Sequence, residues 1–143
     1  MTTTKPSSSF WIISVLSFIW NVIGVLIYMA TAFIDSETLA TLPAKQAELI
    51  QNTPQWLTGI FAISTITAVL GSVLLLLLRK AATSLFFISL IGVIVQMGYT
   101  LLATEALEIY GILQGIIMPL FISVIAAYLF FFSKKSVAKG YLK

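Results

Sequence analysis

Four long apolar runs, none of which contains an Asp, Glu, Lys or Arg, dominate this sequence of 143 residues. Each is close to the roughly 20 residues that an α-helix needs to cross about 30 Å of hydrocarbon. Barrel strands would be about ten residues long and would alternate in polarity, which these runs do not. Only 9% of the residues are charged, against about a quarter in soluble domains. The sequence therefore predicts an all-α membrane protein, a four-transmembrane-helix bundle that forms one domain over residues 1–143. The predicted spans are residues 10–33, 56–78, 84–102 and 109–132.

The charged residues between the spans separate by side. Lys5, the pair Arg79 and Lys80, and the four lysines of the tail fall on one side, whereas Lys45 and all five carboxylates fall on the other. Cytoplasmic loops of membrane proteins carry the excess of lysine and arginine. We therefore expect a multi-pass protein with both termini in the cytoplasm.

The connection between the first two spans is long enough to hold structure of its own. Pro43 suits the first turn of a helix, and Leu42, Gln46, Leu49 and Ile50 follow at helical spacing. This pattern predicts a short amphipathic helix on the external membrane surface or over the end of the bundle. We favour a connector at the lipid surface, since amphipathicity alone does not identify a partner.

Polar side chains recur inside the spans, and counting along the helices places several of them at similar depth. Two interpretations are open: amides and phenols that hydrogen-bond between helices, or a hydrated pocket for a neutral ligand. We favour the first, because functional polar groups inside membranes are more often acidic or basic. The candidate residues for an intramembrane polar cluster or ligand contacts are Asn21, Tyr28, Gln96, Tyr99 and Gln114.

Glycines lie on the same faces as these polar residues and predict close helix packing. Gly111 and Gly115 form a GxxxG pattern, a weak signal that fits a helix break as well as a contact face, and Pro119 predicts a bend in the fourth span. The glycines expected at helix contacts are Gly24, Gly71, Gly92, Gly111 and Gly115.

The composition narrows the possible chemistry. Cysteine and histidine are both absent, which removes thiol nucleophiles, imidazole bases and the usual transition-metal ligands. Glu105 and Glu108 are three residues apart, but acids this close to a span end usually mark topology. We expect no catalytic site, no metal, no cofactor and no nucleic-acid partner. The cations expected to contact anionic lipid headgroups are Arg79, Lys80, Lys134 and Lys135.

Several segments resemble a group of small, largely uncharacterised bacterial inner-membrane proteins that often carry the automatic label "sugar transporter". The resemblance covers nearly the whole chain and rests on "FIWNVIGVLIYM", "TPQWLTGIFAI", "VLGSVLLLLLRKAATSLFFISLIGVIVQMGY", "ALEIYG" and "AKGYL". It implies a bacterial cytoplasmic membrane and four helices. It does not imply sugar transport, because no established site underlies that label.

These observations favour a non-enzymatic accessory or structural subunit of a larger membrane assembly. Helices with small-residue faces and few ionisable groups suit association more than chemistry. The alternative is a small oligomeric transporter or binding protein for a neutral polar solute, contacted by Asn21, Gln96, Gln114 and Tyr99. We expect either a membrane-protein partner or a homo-oligomer.

Overall fold

The computed structural model describes residues 4–143, which are all-helical apart from short turns. The expected all-helical protein with four long apolar helices is confirmed, since four helical stretches are long and apolar enough to cross a membrane. Their ends lie within a few residues of the predicted ones, except that the fourth continues six residues further. The helices are α1 (Ser8–Ala32), α2 (Ser36–Ala40), α3 (Ala44–Gln51), α4 (Gln55–Leu76), α5 (Ala81–Ala103), α6 (Ala106–Ile112), a π-helical turn (Leu113–Ile117) and α7 (Met118–Ala138).

The four long helices pack in the order α1, α4, α5, α7. The backbones of α4 and α5 lie side by side, α1 packs on α4, and α7 packs on α5, whereas the backbones of α1 and α7 scarcely approach each other. One end of the bundle, which we name the termini end, contains the start of α1, the tail that follows α7 and the α4–α5 turn. The opposite end, which we name the loop end, contains α2, α3 and α6.

The termini end is closed by hydrogen bonds between segments distant in sequence. The amide of Lys143 donates to the carbonyl of Leu78, and the amide of Lys80 donates to the carbonyl of Lys143, at 2.8 and 2.9 Å. The amide of Thr4 donates to the carbonyl of Gly140 at 3.1 Å. The three segments therefore satisfy one another's backbone groups.

α4 and α7 both end at the termini end, and they end in the same hydrogen-bonding motif. Beyond α7, Gly140 has a φ of 80°, and the amides of Gly140 and Tyr141 donate back to Val137 and Ser136 in a Schellman motif. Beyond α4, Leu78 takes the glycine position of the same motif, at a φ of 59°. Residues other than glycine rarely adopt this backbone conformation. Leu78 packs against the apolar core, which compensates for that conformation.

The apolar core also lies at the termini end. It combines Phe10 of α1, Leu75 of α4, Phe86 of α5 and Leu129 of α7 with Leu142 from the tail, all of which are at most 5% exposed. The ring of Phe10 stacks on that of Phe132, at 5.7 Å between centroids. All four long helices and the tail thus contribute to one packed cluster.

The loop end is built from short pieces. Asp35 caps α2 by accepting a hydrogen bond of 2.6 Å from the Thr38 amide, and hydrogen bonding to the Thr38 side chain, followed by this amide, holds the pKa of the Asp35 carboxyl below its ordinary value of 3.8. The connection predicted to contain one short helix contains two, α2 and α3. α6 packs against the π-helical turn and contacts α3.

The fourth span is interrupted at Gly111 and not at Pro119. Gly111 has a φ of 80° and a ψ of −179°, a region that only glycine enters without strain. Pro119 follows the π-helical turn, and Ile117 and Met118 keep helical backbone angles, so the helical backbone continues into α7. The π-helical turn between Gly111 and Pro119 contains a hydrogen bond from the Met118 amide to the Leu113 carbonyl. The helix break that the Gly111–Gly115 pattern allowed is therefore present at Gly111, and the bend at Pro119 stays a prediction.

Candidate functional site

Two cavities occupy the half of the bundle nearer the loop end. The first, which we name the chamber, has a volume of about 360 Å³ and lies among α1, α4, α5 and α7. The second, which we name the vestibule, has a volume of about 830 Å³ and lies among α3, α6 and the adjoining ends of α4 and α5. Phe61, Gln96 and Thr100 line both cavities. The vestibule and the chamber therefore adjoin at these three residues.

The chamber ends at the apolar core. Phe86 and Leu129 line it and also belong to the packed cluster at the termini end, where they are 2% and 4% exposed. Most of the remaining wall is aliphatic or aromatic, with hydroxyls and two amides interspersed. Small-molecule sites commonly combine apolar walls with a few polar groups that fix orientation. The chamber has that composition and a closed floor.

Ser89 brings to the chamber a hydroxyl without a hydrogen-bond partner in the described part of the chain. Within residues 4–143, seven of the eight buried polar side chains take part in a hydrogen bond with a carbonyl or hydroxyl of the protein. The exception is Ser89, which is 5% exposed and lines the chamber. The buried side-chain oxygen without a partner among the described residues is Thr83 Oγ1, whereas the Ser89 oxygen is accessible and can meet a ligand atom in the chamber.

Gln96 supplies a second polar group to the same cavity, two helical turns from Ser89 on α5. Its side chain is half-buried, lines both the chamber and the vestibule, and has no hydrogen-bond partner among the described residues. A primary amide both donates and accepts hydrogen bonds. Ser89 and Gln96 together mark one wall of the chamber with unpaired hydrogen-bonding capacity.

Asn21 behaves differently, although it also lines the chamber. Its Nδ2 donates to the Ser72 hydroxyl at 2.7 Å and lies 3.3 Å from the Ala68 carbonyl oxygen. Ser72 itself donates to the Ala68 carbonyl at 2.9 Å. These bonds join α1 to α4, which is the interhelical role expected for a membrane amide. Ser72 was not among the predicted site residues, although a hydroxyl facing α1 is the partner that such an amide requires.

The other predicted polar residues do not meet in the chamber. The ring of Tyr28 contacts that of Phe61, with 5.3 Å between centroids. Tyr99 lines the vestibule and contacts the Trp56 ring, also at 5.3 Å. Gln114, on the π-helical turn, is exposed and lines neither cavity. The break at Gly111 changes the course of the chain, so counting residues along one straight helix misplaced Gln114.

The predicted packing glycines have different surroundings. A Cβ on Gly92 would overlap the Ser64 hydroxyl, and one on Gly71 would lie 3.0 Å from the Phe86 ring, both at the α4–α5 contact. A Cβ on Gly115 would lie 3.0 Å from the Leu107 backbone of α6, and one on Gly24 would make an ordinary 3.9 Å contact with Thr65. Gly111 has open space around the same position, so its requirement for glycine is conformational.

The four cations predicted to contact lipid headgroups, Arg79, Lys80, Lys134 and Lys135, are all exposed. Arg79 and Lys80 lie in the α4–α5 turn, and Lys134 and Lys135 lie near the end of α7. All four therefore lie at the termini end and on the surface, where headgroups can reach them. Their contact with anionic lipid stays a prediction.

In comparisons with known proteins, no family model, curated protein or solved structure matches this chain. The resemblance noted from the sequence motifs, and the bacterial origin that it implies, therefore stay predictions.

Proposed function

We propose that this protein is a membrane-embedded binding protein that holds a small uncharged molecule in the chamber. The observation that carries the proposal is the Ser89 hydroxyl, which has no hydrogen-bond partner in the part of the chain that the structure describes and belongs to a buried residue that lines the chamber. A bound hydrogen-bonding group would give this hydroxyl a partner, and such a bond typically contributes about 0.5 to 1.5 kcal/mol. The residues that line the chamber carry no charge, which favours an uncharged ligand, since an unpaired ion would be expensive to bury.

The closed floor of the chamber favours binding over passage through the bundle. Phe86 and Leu129 close it toward the termini end by packing in the apolar core. A carrier would need to open that core, and no internal repeat suggests the paired halves that alternate access uses in many transporters. Binding without enzymatic chemistry fits this geometry most directly.

A test of binding can use thermal stability, because a ligand that binds the folded state raises the melting temperature. Probes would be the uncharged compounds butanol, hexanamide and glucose, added to the detergent-purified protein. We expect at least one probe to stabilise the wild type and to stabilise Ser89→Ala less. The matched control is Ser17→Ala, which removes a buried hydroxyl that donates to the Ser14 carbonyl and does not line the chamber. Equal shifts in Ser89→Ala and the wild type, or no shift with any probe, would refute the proposal.

The accessory-subunit hypothesis makes a different prediction about composition. Native mass spectrometry of gently extracted protein would show a stoichiometric foreign subunit if the protein serves a larger assembly. A monomer or homo-oligomer that retains an uncharged small molecule would favour binding in the chamber. This measurement separates the two functions without knowledge of the ligand.

We also propose that the termini end faces the cytoplasm of a bacterial inner membrane. Seven of the eight lysines and arginines are Lys5, Arg79, Lys80 and the tail lysines, and the positive-inside rule places these on the cytoplasmic side. The chain has no native cysteine, so single cysteines beside Lys80 and beside Glu48 can be labelled cleanly. An impermeant reagent applied outside intact cells should label the cysteine beside Glu48 and not the one beside Lys80. The reverse pattern would invert the proposed orientation.

A further inference from the structure

The chamber wall between α1 and α7 is only one side chain thick. Ile23 and Ile27 of α1 line the chamber and are 47% and 56% exposed. Met118 and Ile122 of α7 also line it, at 44% and 39% exposed. The backbones of α1 and α7 do not pack together, so only these flexible apolar side chains separate the chamber from the surroundings of the protein.

Closer to the termini end, aromatic side chains of α1 and α7 contact each other. The rings of Trp20 and Phe121 meet at 5.9 Å between centroids, and those of Phe10 and Phe132 at 5.7 Å. The thin wall therefore begins beyond Trp20, toward the loop end. Ile23 and Ile27 still lie well inside α1, which ends at Ala32, so this wall faces the hydrocarbon of a bilayer and not its aqueous surface.

The chamber lining becomes more polar toward the vestibule. Gln96 and Thr100 bring an amide and a hydroxyl to the junction of the two cavities. Tyr99, Lys45 and Glu48 then line the vestibule. A molecule in the chamber would have its apolar part beside the thin wall and its hydrogen-bonding part against α5, which carries Ser89 and Gln96.

We propose that the ligand enters sideways from the bilayer between α1 and α7, and that it is an amphiphile with a single hydrocarbon chain and an uncharged hydrogen-bonding head. This inference rests on the proposed binding function and specifies its ligand class. The hydrocarbon chain fills the apolar chamber. The head bonds with the Ser89 hydroxyl or the Gln96 amide, which line the chamber and have no hydrogen-bond partner within residues 4–143.

Trp20 lines the chamber and can report entry directly. In a Trp11→Phe and Trp56→Phe background it is the only tryptophan, because the sequence contains three. The probe is a long-chain alcohol with a bromine on its hydrocarbon chain, added to the protein in phosphatidylcholine nanodiscs, because bromine quenches nearby tryptophan fluorescence. A second arm uses bromoethanol, which is water-soluble and would enter through the vestibule.

We expect the long-chain alcohol to quench Trp20 saturably. Ala126→Phe, which fills the chamber from α7, should abolish the saturable part, and Ser89→Ala should weaken it about 2- to 12-fold, the loss of one hydrogen bond. Ser133→Ala, whose hydroxyl donates to the Phe130 carbonyl and does not line the chamber, should leave it unchanged.

The outcomes separate the entry route from the function. Saturable quenching by bromoethanol alone, weakened by Ser89→Ala, would overturn lateral entry and leave the binding function standing. Quenching by the long-chain alcohol that never saturates, or that Ala126→Phe does not change, would also overturn lateral entry, since lipid contact alone produces it. Failure of both probes to show any Ser89-dependent quenching would overturn both proposals.

Discussion

The two ends of this bundle differ in packing: the termini end has a packed apolar core, and the loop end contains cavities. At the termini end, four helices and the chain's tail pack around Phe10, Leu75 and Phe86, and backbone hydrogen bonds join residues 78–80 to Lys143. At the loop end, two cavities, two short helices and an interrupted span replace the packed core. A small membrane protein can thus concentrate its stability in one half and leave the other half hollow enough to bind a ligand.

The largest expected effect contrasts a side chain in the core with one on the chamber wall. Leu75→Ala removes a fully buried side chain from close packing and should lower the free energy of unfolding by about 2 kcal/mol, the low end of the range for soluble cores. Val93→Ala only enlarges an existing cavity, so it should cost less than about 1 kcal/mol. Equilibrium unfolding in mixed micelles measures both, and equal losses would show that the chamber is packed in solution.

A second pair of substitutions compares the positive-φ glycines of the two ends. Gly111→Ala should destabilise by about 1 to 3 kcal/mol, because its backbone region is nearly exclusive to glycine. Gly140→Ala should cost about 1 to 2 kcal/mol, the usual penalty for a left-handed residue. Gly98→Ala is the control, since it lies in α5 with open space around the new methyl group. If Gly111→Ala unfolds no more easily than the control, the break in the fourth span does not persist in solution.

The sequence predicted the four spans well, because an uninterrupted apolar run of sufficient length admits few structures in lipid. It predicted the polar faces in part: Asn21 and Gln96 both line the chamber, whereas Gln114 is turned away by the break at Gly111. The chamber itself was not predictable. Ser89 lies on a polar stripe like many other serines, and only the packing of three other helices decides which hydroxyl lacks a partner.

A smaller effect tests the bond that links α1 to α4 at the chamber's edge. Asn21→Leu should lower stability by about 0.6 kcal/mol, the average for interhelical hydrogen bonds in a membrane, and by no more than about 1.7 kcal/mol. A double-mutant cycle with Ser72→Ala isolates the Asn21–Ser72 bond. A coupling energy of zero in that cycle would show that the Asn21–Ser72 bond does not stabilise the packing of α1 against α4.

The smallest effect concerns the cap of α2. Because the folded pKa of Asp35 is lowered, its contribution to α2 is fully present above the unfolded value near 3.8 and is lost as the pH falls through the lower folded value. Acidification through this window should therefore speed hydrogen exchange at the Thr38 amide. Asp35→Ala should show fast exchange at every pH, and a wild-type rate that follows only the intrinsic pH dependence would exclude the cap.

The backbone hydrogen bonds of Lys143 with Leu78 and Lys80 also constrain the order in which the protein can fold. The α4–α5 hairpin is synthesised long before residues 141–143, so the Leu78 carbonyl and the Lys80 amide lack these partners while α7 is still being made. Leu142, which belongs to the apolar core, arrives equally late. The hydrogen bonds and apolar contacts that close the termini end therefore form only after residues 141–143 have been made, later than the α4–α5 hairpin that they join.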